Sequence, residues 1–529
     1  MFENKTVEAR RKQREEQQVE LRQQRREDLL NKKRSMVSKD TAPQIANLKE
    51  MKSKVLSNDP NIVFQGVFEF RTVLSVEKSP PIQAVIDSGL VPRFVELLST
   101  SCNIYQDPST DLTTNTRLES AWVLTNISSG TTEQTSHVVD CGAIPLLLEM
   151  INEPSSELID QGIWALGNIA GDSEAMRDSI INSNATPTIL SFISDLLHSK
   201  EHLKILRNAT WLLSNLNRGR NPPPPLPHMK SCIPVISLLT THTDPEVVTD
   251  SFWAASYVCD ADISTTDLIL STEIPNRAIL LLKNIINKLS NTDSTSSYND
   301  NSLYKIAMHS ISPVIRMLGN ILTGTDEQTN YLLDMEILTI FKDLLILYQE
   351  PSKQSRLRKE ICWSISNITA GTEKQVERVF ESKIIPILID ILNYSELYVR
   401  IEACYAITNS LSYCNTRYEH LEILLENNFL ESLKDLLMVV SNLVEVQVNI
   451  LNGFKMALEG CRAKYKKYGN NPVANRMEEI GLVGVIEELQ DSGDASVSDK
   501  AYNIIVEYFN VVILEVKRVL LGSSYISVV

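Results

Sequence analysis

The stretch WVLTN (122–126) returns as WALGN (164–168) and WLLSN (211–215), at intervals of 42 and 47 residues. The series continues as WAASY, RMLGN, WSISN and YAITN, which begin at Trp253, Arg316, Trp363 and Tyr405. Residues four positions apart lie on one face of a helix, one turn from each other. The spacing therefore predicts the same helix once in every unit of roughly 42–47 residues, with its first and fifth residues aligned from unit to unit.

A second helix in each unit is indicated by apolar segments that open near a proline. They are VPRFVELL, IPLLLEMI, TPTILSFI, IPVISLL, IPNRAILLL and IPILIDIL, with Pro92, Pro145, Pro187, Pro234, Pro275 and Pro386. Proline is tolerated in the first turn of a helix, where its missing N–H has no intrahelical partner anyway. A short linking helix fits the remaining residues. Units of about 40–47 residues with two or three helices are typical of armadillo and HEAT repeats.

Some stretches depart from the period. The interval from Trp253 to Arg316 is too long, which predicts a polar loop at 287–302, and NPPPPLP (221–227) predicts a second loop. Residues 61–99 are expected to form a first repeat, and a cap near 498–521 is expected to close the stack.

The charge is unevenly distributed along the chain. The net charge is −15, yet residues 1–40 carry 12 basic against 8 acidic residues, which leaves −19 for residues 41–529. An acidic body argues against nonspecific nucleic-acid binding and favours a basic ligand. The start of the chain has no apolar core of a signal peptide, and charges interrupt the most apolar late run at 508–521, so we expect no membrane span. The eight cysteines form no CxxC pair, which predicts reduced thiols.

The recurring asparagine is the clearest functional signal. A single tryptophan is by default a core residue, but asparagine is a mediocre helix former and is costly in a core without partners. A row of amides can hold the backbone of an extended peptide, and tryptophan faces beside it can hold Lys or Arg stems. Acidic residues near the pattern would select cations; they are Asp172, Glu246, Asp250 and Asp260. The pattern predicts a groove for basic peptides.

Several segments together resemble the importin alpha family. They are WVLTNISSGTTEQT (122–135), WALGNIAGD (164–172), RNATWLLSNLNRGRNPPPP (207–225), GNILTGTDEQT (319–329) and WSISNITAGT (363–372). Residues 8–35 are similar to the importin-beta-binding domain of that family, and the likeness extends in order from about residue 8 to 510. The resemblance implies an all-α, right-handed armadillo superhelical solenoid of about ten repeats with a basic N-terminal helical arm.

The resemblance also implies two peptide sites. The major site would comprise Trp122, Asn126, Ser129, Gly130, Thr135, Gln161, Trp164, Asn168, Asp172, Asn208, Trp211, Asn215, Glu246, Asp250 and Trp253. Within it, Ser129, Gly130, Thr135, Gln161 and Asp172 would surround one critical lysine. The minor site would comprise Arg316, Asn320, Thr323, Glu360, Trp363, Ser366, Asn367, Glu402, Tyr405 and Asn409, with Tyr405 standing where the family usually has tryptophan.

The basic arm is expected to bind importin beta and to compete with cargo for the groove. The residues implied are Arg10, Arg11, Arg14, Arg22, Arg25, Arg26, Lys32, Lys33 and Arg34. We therefore divide the chain into an importin-beta-binding arm and linker at 1–50, a solenoid at 51–521 and a tail at 522–529. The expected partners are importin beta, cargo proteins with Lys/Arg-rich signals and, by resemblance, an export receptor. The expected location is the cytoplasm and the nucleus, with shuttling between them.

Other classes of function are weaker. No P-loop, HExxH, GxSxG or paired-cysteine motif is present, so we predict neither an enzyme nor a cofactor or metal site. A catenin-like armadillo scaffold for adhesion or signalling would call for a basic groove, whereas this body is acidic. A solenoid without a groove ligand is the third alternative. Taken alone, residues 8–35 also fit a solvated tail or a basic nucleic-acid arm. The five acids among the ten basic residues between Arg10 and Arg34 suit an acidic protein partner better.

Overall fold

The computed structural model describes residues 47–76, 80–105, 110–290, 302–350, 354–465 and 471–509. The basic arm from Arg10 to Arg34, most of the 287–302 loop and the tail at 522–529 lie outside these ranges, so the expectations for them remain predictions. Within the described ranges every regular element is a helix. None of these helices has a stretch long and apolar enough to cross a membrane.

The helices follow one another in short steps along the chain. Helices α1 to α28 are, in order, Leu48–Val55, Pro60–Leu74, Ile82–Asp87, Val91–Glu96, Asp111–Ile127, Thr132–Asp140, Ala143–Glu149, Ser156–Asp172, Glu174–Asn182, Ala185–Leu196, Leu203–Leu216, Leu226–Leu239, Pro245–Ala261, Ile263–Leu270, Ile274–Ser290, Ser302–Ile321, Asp326–Asp334, Ile337–Leu347, Ser355–Thr369, Glu373–Glu381, Ile385–Tyr394, Leu397–Ser410, Tyr418–Glu426, Phe429–Val439, Val444–Tyr465, Pro472–Glu479, Leu482–Glu488 and Ala495–Tyr508. Single 3₁₀ turns at Met150–Asn152, Leu411–Tyr413 and Leu489–Asp491 join some of them.

The described helices form ten groups that repeat one plan. After the pair α1 and α2, most groups hold two short helices and one longer helix, and the longer helix carries the predicted pattern; for example, Ser156–Asp172 contains Trp164 and Asn168. The group at 226–261 has two helices, because its first two are merged. The predicted all-α armadillo fold with about ten repeats is confirmed.

The turn after the long helix is set by a glycine and a glutamine. In SGTTEQ (129–134), the backbone N–H of Thr131 donates to Gln134 Oε1 at 3.1 Å, and the N–H of Gln134 donates to Thr131 Oγ1 at 3.4 Å. This reciprocal capping box satisfies two helix N–H groups. A Cβ at Gly130 would lie 2.0 Å from Gln134 Oε1, so a side chain there would displace Gln134 from the capping box. The same capping box begins the helices at Asp326 and Glu373.

Five of the six prolines named above lie in the first turn of a helix, as predicted, but Pro234 does not. It lies inside Leu226–Leu239. The reason is that the proline-rich segment supplies an earlier start, with Pro227 as the second residue of that helix. Of the predicted loop at 221–227, residues 221–225 are not helical, whereas Leu226 and Pro227 already belong to the helix.

The packing divides the described residues into two compact units. Among the described residues, one unit holds those from 47 to 281 together with 302–317, and the other holds 282–290 together with those from 318 to 509. Each unit has a continuous apolar core, and all eight cysteines are free, seven of them buried. Buried arginines join neighbouring repeats: Arg117 donates to Glu153 at 2.7 Å, and Arg358 donates to Glu396 at 2.8 Å. Such pairs specify how repeats stack, because breaking one would leave a buried charge.

Candidate functional site

We call each occurrence of the five-residue pattern a rung, and the asparagine at its fifth position a ladder asparagine. Ladder asparagines form hydrogen bonds with the preceding repeat. In the first unit, Asn168 Nδ2 donates to the carbonyl of Thr125 at 3.0 Å, and Asn215 Nδ2 donates to the carbonyl of Gly167 at 3.0 Å. Thr125 and Gly167 directly precede the ladder asparagines of their own repeats, Asn126 and Asn168. These two rungs are therefore tied to the backbone of the rung before them. The ties give Asn168 and Asn215 a hydrogen-bond partner inside the packed repeats.

The second unit repeats this arrangement. Asn409 Nδ2 donates to the carbonyl of Ser366 at 3.0 Å, and Ser366 directly precedes Asn367. Tyr413 donates to the carbonyl of Gly371 at 3.0 Å, one turn further along. The last predicted rung, which begins with Tyr405 rather than tryptophan, is thus held in the same way as the earlier ones.

Some side-chain amide atoms of the ladder asparagines take no part in these hydrogen bonds. Both side-chain polar atoms of Asn126, Oδ1 of Asn168 and Nδ2 of Asn367 are shielded from water and have no hydrogen-bond partner within the ranges that the structure describes. Buried amide atoms without partners are unfavourable and uncommon in folded proteins. The ladder therefore retains hydrogen-bonding capacity that the stacking of repeats does not use.

Two of the tryptophan rings, those of Trp211 and Trp363, lie against a glycine of the preceding repeat. A Cβ at Gly167 would lie 2.1 Å from Cζ3 of Trp211, and a Cβ at Gly319 would lie 2.4 Å from Cζ3 of Trp363. Both glycines stand directly before a ladder asparagine, in WALGN and RMLGN. Only a residue without a side chain allows the next ring to approach the helix this closely. These glycines were visible in the repeated pattern but were not recognised as part of the site.

A carboxylate, a hydroxyl and a tight turn converge at the predicted lysine pocket. Thr135 Oγ1 lies 3.4 Å from Asp172 Oδ1 and donates to the carbonyl of Ser128 at 3.3 Å. Ser129 donates to the carbonyl of Asn126 at 2.7 Å, and Gly130 follows it in the turn. The other carboxylate oxygen of Asp172 has no partner among the described residues. An ammonium group has three donors and no acceptor, so this set of oxygens matches it.

The next polar group along the groove centres on Asp160, which sequence reasoning missed. Its carboxylate accepts from Asn208 Nδ2 at 2.5 Å and from Lys204 Nζ at 2.7 Å. Gln161 Nε2 donates to Thr125 Oγ1 at 2.6 Å. Asp160, Gln161 and Lys204 line a cavity beside Trp122. The structure thus brings the predicted Gln161 and Asn208 together with a carboxylate that no motif had marked.

Glu246 has an internal partner. Arg207 donates to Asp244 at 2.6 and 3.0 Å and also pairs with Glu246 at 3.1 Å. Burial disfavours the charged form of Asp244, but hydrogen bonds from Arg207 and from the N–H of Val247 outweigh it and lower the pKa of Asp244. Glu246 therefore contributes to an existing ion pair as well as to the charge of the predicted site.

The far end of the major site carries two stacked rings. The ring centroids of Trp253 and Tyr257 lie 5.9 Å apart at an angle of 19°. Asp250 is buried one turn before Trp253 in the same helix, Pro245–Ala261. Tyr257 occupies the rung position where the earlier repeats have asparagine.

The predicted minor-site residues are placed in both units. Arg316 belongs to the first unit, and the remaining residues belong to the second. Thr323 donates to the carbonyl of Asn320 and Ser366 to that of Trp363, at 2.7 and 2.8 Å. Glu402 is buried, with 6% of its surface exposed. The second unit thus repeats the chemistry of the first: an aromatic ring, amides and a buried carboxylate.

Comparison with known protein families gives three matches. Residues 2–68 match the importin beta binding domain, residues 131–171 match the armadillo/beta-catenin-like repeat, and residues 471–515 match an atypical Arm repeat. In structure the chain resembles an engineered protein solved by crystallography, with a TM-score of 0.67 over 87% of this chain and 98% of that one, at 22% identity. This likeness supports the solenoid fold alone.

Relatives that match over most of their length identify the family more specifically than the structural likeness does. Importin subunit alpha-5 of Arabidopsis thaliana is 32% identical over 94% of this chain and 89% of its own length. Importin subunit alpha-4 of the same plant is 32% identical over 94% and 88%, and importin subunit alpha-1a of Oryza sativa subsp. japonica is 34% identical over 72% and 67%.

The fold and the groove define an armadillo-repeat protein of the peptide-binding kind. The chain belongs to the importin alpha family, whose members are nuclear import adaptors that link cargo to importin beta. The family consists of transport adaptors rather than enzymes. This assignment takes the place of the adhesion or signalling scaffold considered above.

Proposed function

We propose that this chain binds Lys/Arg-rich nuclear localisation signals along its asparagine ladder, with the pocket of Thr135 and Asp172 as the principal cation site. The observation that carries the proposal is the carboxylate of Asp172 beside Thr135, next to amides that still have hydrogen-bonding capacity. A lysine ammonium would donate hydrogen bonds to the carboxylate of Asp172. The backbone of an extended peptide would supply the hydrogen-bond partners that the amides lack. The residues of the major site are those named in the sequence analysis.

Selection for basic side chains has two physical sources. Aromatic faces attract cations by roughly 0.5–2 kcal/mol each, depending on desolvation. The carboxylate of Asp172 then favours a charged side chain over a neutral one, because hydrogen bonds to a charged group are stronger than those between neutral groups. Together they distinguish Lys/Arg clusters from other extended segments.

The minor site is proposed to take a second basic cluster. It would use Trp363, Glu402 and Asn409 of the second unit, with Arg316 and the other residues named above. Two linked clusters gain from effective concentration, because the second binds as an intramolecular event.

The arm is proposed to bind importin beta through its basic residues from Arg10 to Arg34, and to withdraw from the groove when it does so. We further propose that the protein shuttles between cytoplasm and nucleus and is returned by an export receptor. As domain boundaries we retain the arm, solenoid and tail given above. Helix Leu48–Val55 crosses the boundary at residue 50, and its residues Met51 and Val55 are buried, so experiments on the arm should cut before residue 47.

A peptide titration tests the proposed function. The full-length protein, saturated with importin beta, would be titrated with a fluorescent Lys/Arg-rich peptide and with an equally long Asp/Glu-rich peptide. We expect the basic peptide to bind and the acidic peptide not to bind. Equal affinity for both peptides would rule out a cation-selective groove.

A further inference from the structure

The ladder has a first rung that the tryptophan series does not show. Arg71 is the twelfth residue of α2 (Pro60–Leu74), and Trp122 is the twelfth residue of α5 (Asp111–Ile127), the long helix that packs against α2. Because α2 packs against α5 and Arg71 lies on the ring of Trp122, we assign Arg71 to the rung position of the first repeat. Ser75 stands four residues later, where the other rungs have asparagine, and its hydroxyl donates to the carbonyl of Arg71 at 2.7 Å.

The guanidinium of Arg71 lies on the ring of Trp122. Its Cζ is 4.7 Å from the centroid of that ring and 4.4 Å from the centroid of Phe68. Its Nε donates to Glu119 Oε2 at 2.6 Å. Arg71 and Glu119 are both buried, with 6% and 9% of their surface exposed. An aromatic face, a cation and a carboxylate are already assembled here from the protein's own residues.

On the side that packs against the next repeat, α5 has a different environment. It also packs against α8 (Ser156–Asp172), and the cavity beside Trp122 is lined by residues of α8 and α11, including Asp160 and Gln161. Trp122 therefore contacts the guanidinium of Arg71 from α2, and it also lines a polar cavity together with residues of α8.

We propose that Arg71 is a specificity-determining residue that ends the row of cation sites at Trp122. Its guanidinium occupies the ring face and the carboxylate that a further peptide Lys or Arg would need. The peptide residue next to Arg71 is then selected to be uncharged or acidic, while the residue between Trp122 and Trp164 is selected to be basic. This inference rests on the proposed function, because it assigns the boundary of the same groove.

The test compares peptides that differ by one lysine. A core peptide with three consecutive basic residues between alanines would be titrated against the full-length protein saturated with importin beta. Two further peptides would carry one added lysine, on the N-terminal or the C-terminal side. The variants would be Arg71→Gln, which frees the ring face and Glu119, and Arg93→Gln, which removes the same charge from an arginine paired with Glu96 away from the tryptophan rings.

We expect one of the two added lysines to raise affinity at least fivefold in Arg71→Gln and less than twofold in the wild type and in Arg93→Gln. Equal gains in the wild type and Arg71→Gln would overturn the assignment of Arg71. Failure of the core peptide to bind any variant would instead contradict the proposed function, so the two failures are distinguishable.

Loss of Arg71 alone leaves the buried Glu119 without its partner, which can destabilise the fold. A double variant, Arg71→Gln with Glu119→Gln, removes both charges and provides a second measurement. It exposes the ring face without the carboxylate, so we expect a gain from the added lysine that exceeds the wild-type gain but is smaller than in Arg71→Gln. A gain no larger than in the wild type would also overturn the proposal.

Discussion

Thr135 and Asp172 meet within one repeat, with Thr135 Oγ1 3.4 Å from Asp172 Oδ1. Thr135 lies in the first short helix of one repeat and Asp172 ends the long helix of that repeat, so the pocket depends on how these two helices pack. The contact places a partly exposed carboxylate at the C-terminal end of the long helix.

Asp172→Lys places an ammonium where the ligand lysine is proposed to bind. We expect the affinity for a single-cluster basic peptide to fall by about 2 kcal/mol or more, which is roughly 30-fold, because a charge pair is replaced by a repulsion. Calorimetric titration measures the change. Asp140→Lys, at an exposed position of helix Thr132–Asp140, has the same charge change and should bind normally. Unchanged affinity in Asp172→Lys would remove the pocket from the site.

Glu402→Arg tests the second unit. We expect peptides with two basic clusters to lose more affinity than peptides with one, because only the former use the minor site and gain from linkage. Glu426→Arg, at an exposed position, is the matched control. Thermal melts of both variants are needed because Glu402 is buried. Equal losses for the two peptide types would show that this end of the groove is not used.

The arm should compete with cargo. Deleting residues 1–46, or changing Lys32, Lys33 and Arg34 to alanine, should raise affinity for a basic peptide by about 10-fold, since a tethered cluster acts at millimolar effective concentration. Addition of importin beta should restore the same affinity to the full-length protein. By linkage, cargo should tighten importin beta binding by the same factor. Fluorescence polarisation of one labelled basic peptide measures the affinity for each protein, with and without importin beta. If truncated and full-length proteins bind equally, the arm is a docking element only.

His228 should make stability depend on pH. Burial is the main cause that lowers the pKa of His228 from 6.5 to about 4, and the positive charge of Arg177 contributes to this shift. The unfolded chain therefore binds a proton that the folded chain refuses as pH falls from 6.5 towards 4, and stability is lost in that window. At pH 5 the loss relative to pH 7 is about 2 kcal/mol.

His228→Gln keeps a polar group near Thr186, whose hydroxyl lies 2.8 Å from His228 Nδ1. We expect its melting temperature to fall less between pH 7 and pH 5 than that of the wild type. His309→Gln, at an exposed position, should behave like the wild type. Parallel pH profiles for the wild type and His228→Gln would contradict this prediction.

The repeat plan was readable from the sequence because it is local and periodic: Trp164 and Asn168 lie on one helix face, and a proline often opens the helix before them. The packing partners were not readable. The contact of Trp211 with Gly167 and the pair of Asp160 with Lys204 each join residues more than 40 positions apart. Pro234 was misplaced for a related reason, since its own segment fits a helix start and only Pro227 shows that the helix begins earlier.

The tie between three ladder asparagines and the repeat before each of them has a consequence for ligand affinity. An amide side chain that is free in the unbound protein loses rotational freedom when a peptide binds, at a cost of about 0.5–1.5 kcal/mol for each immobilised side chain. Asn168, Asn215 and Asn409 are already held by a hydrogen bond to a backbone carbonyl. Their ordering is therefore part of folding, and the groove meets an extended peptide with its amides pre-organised.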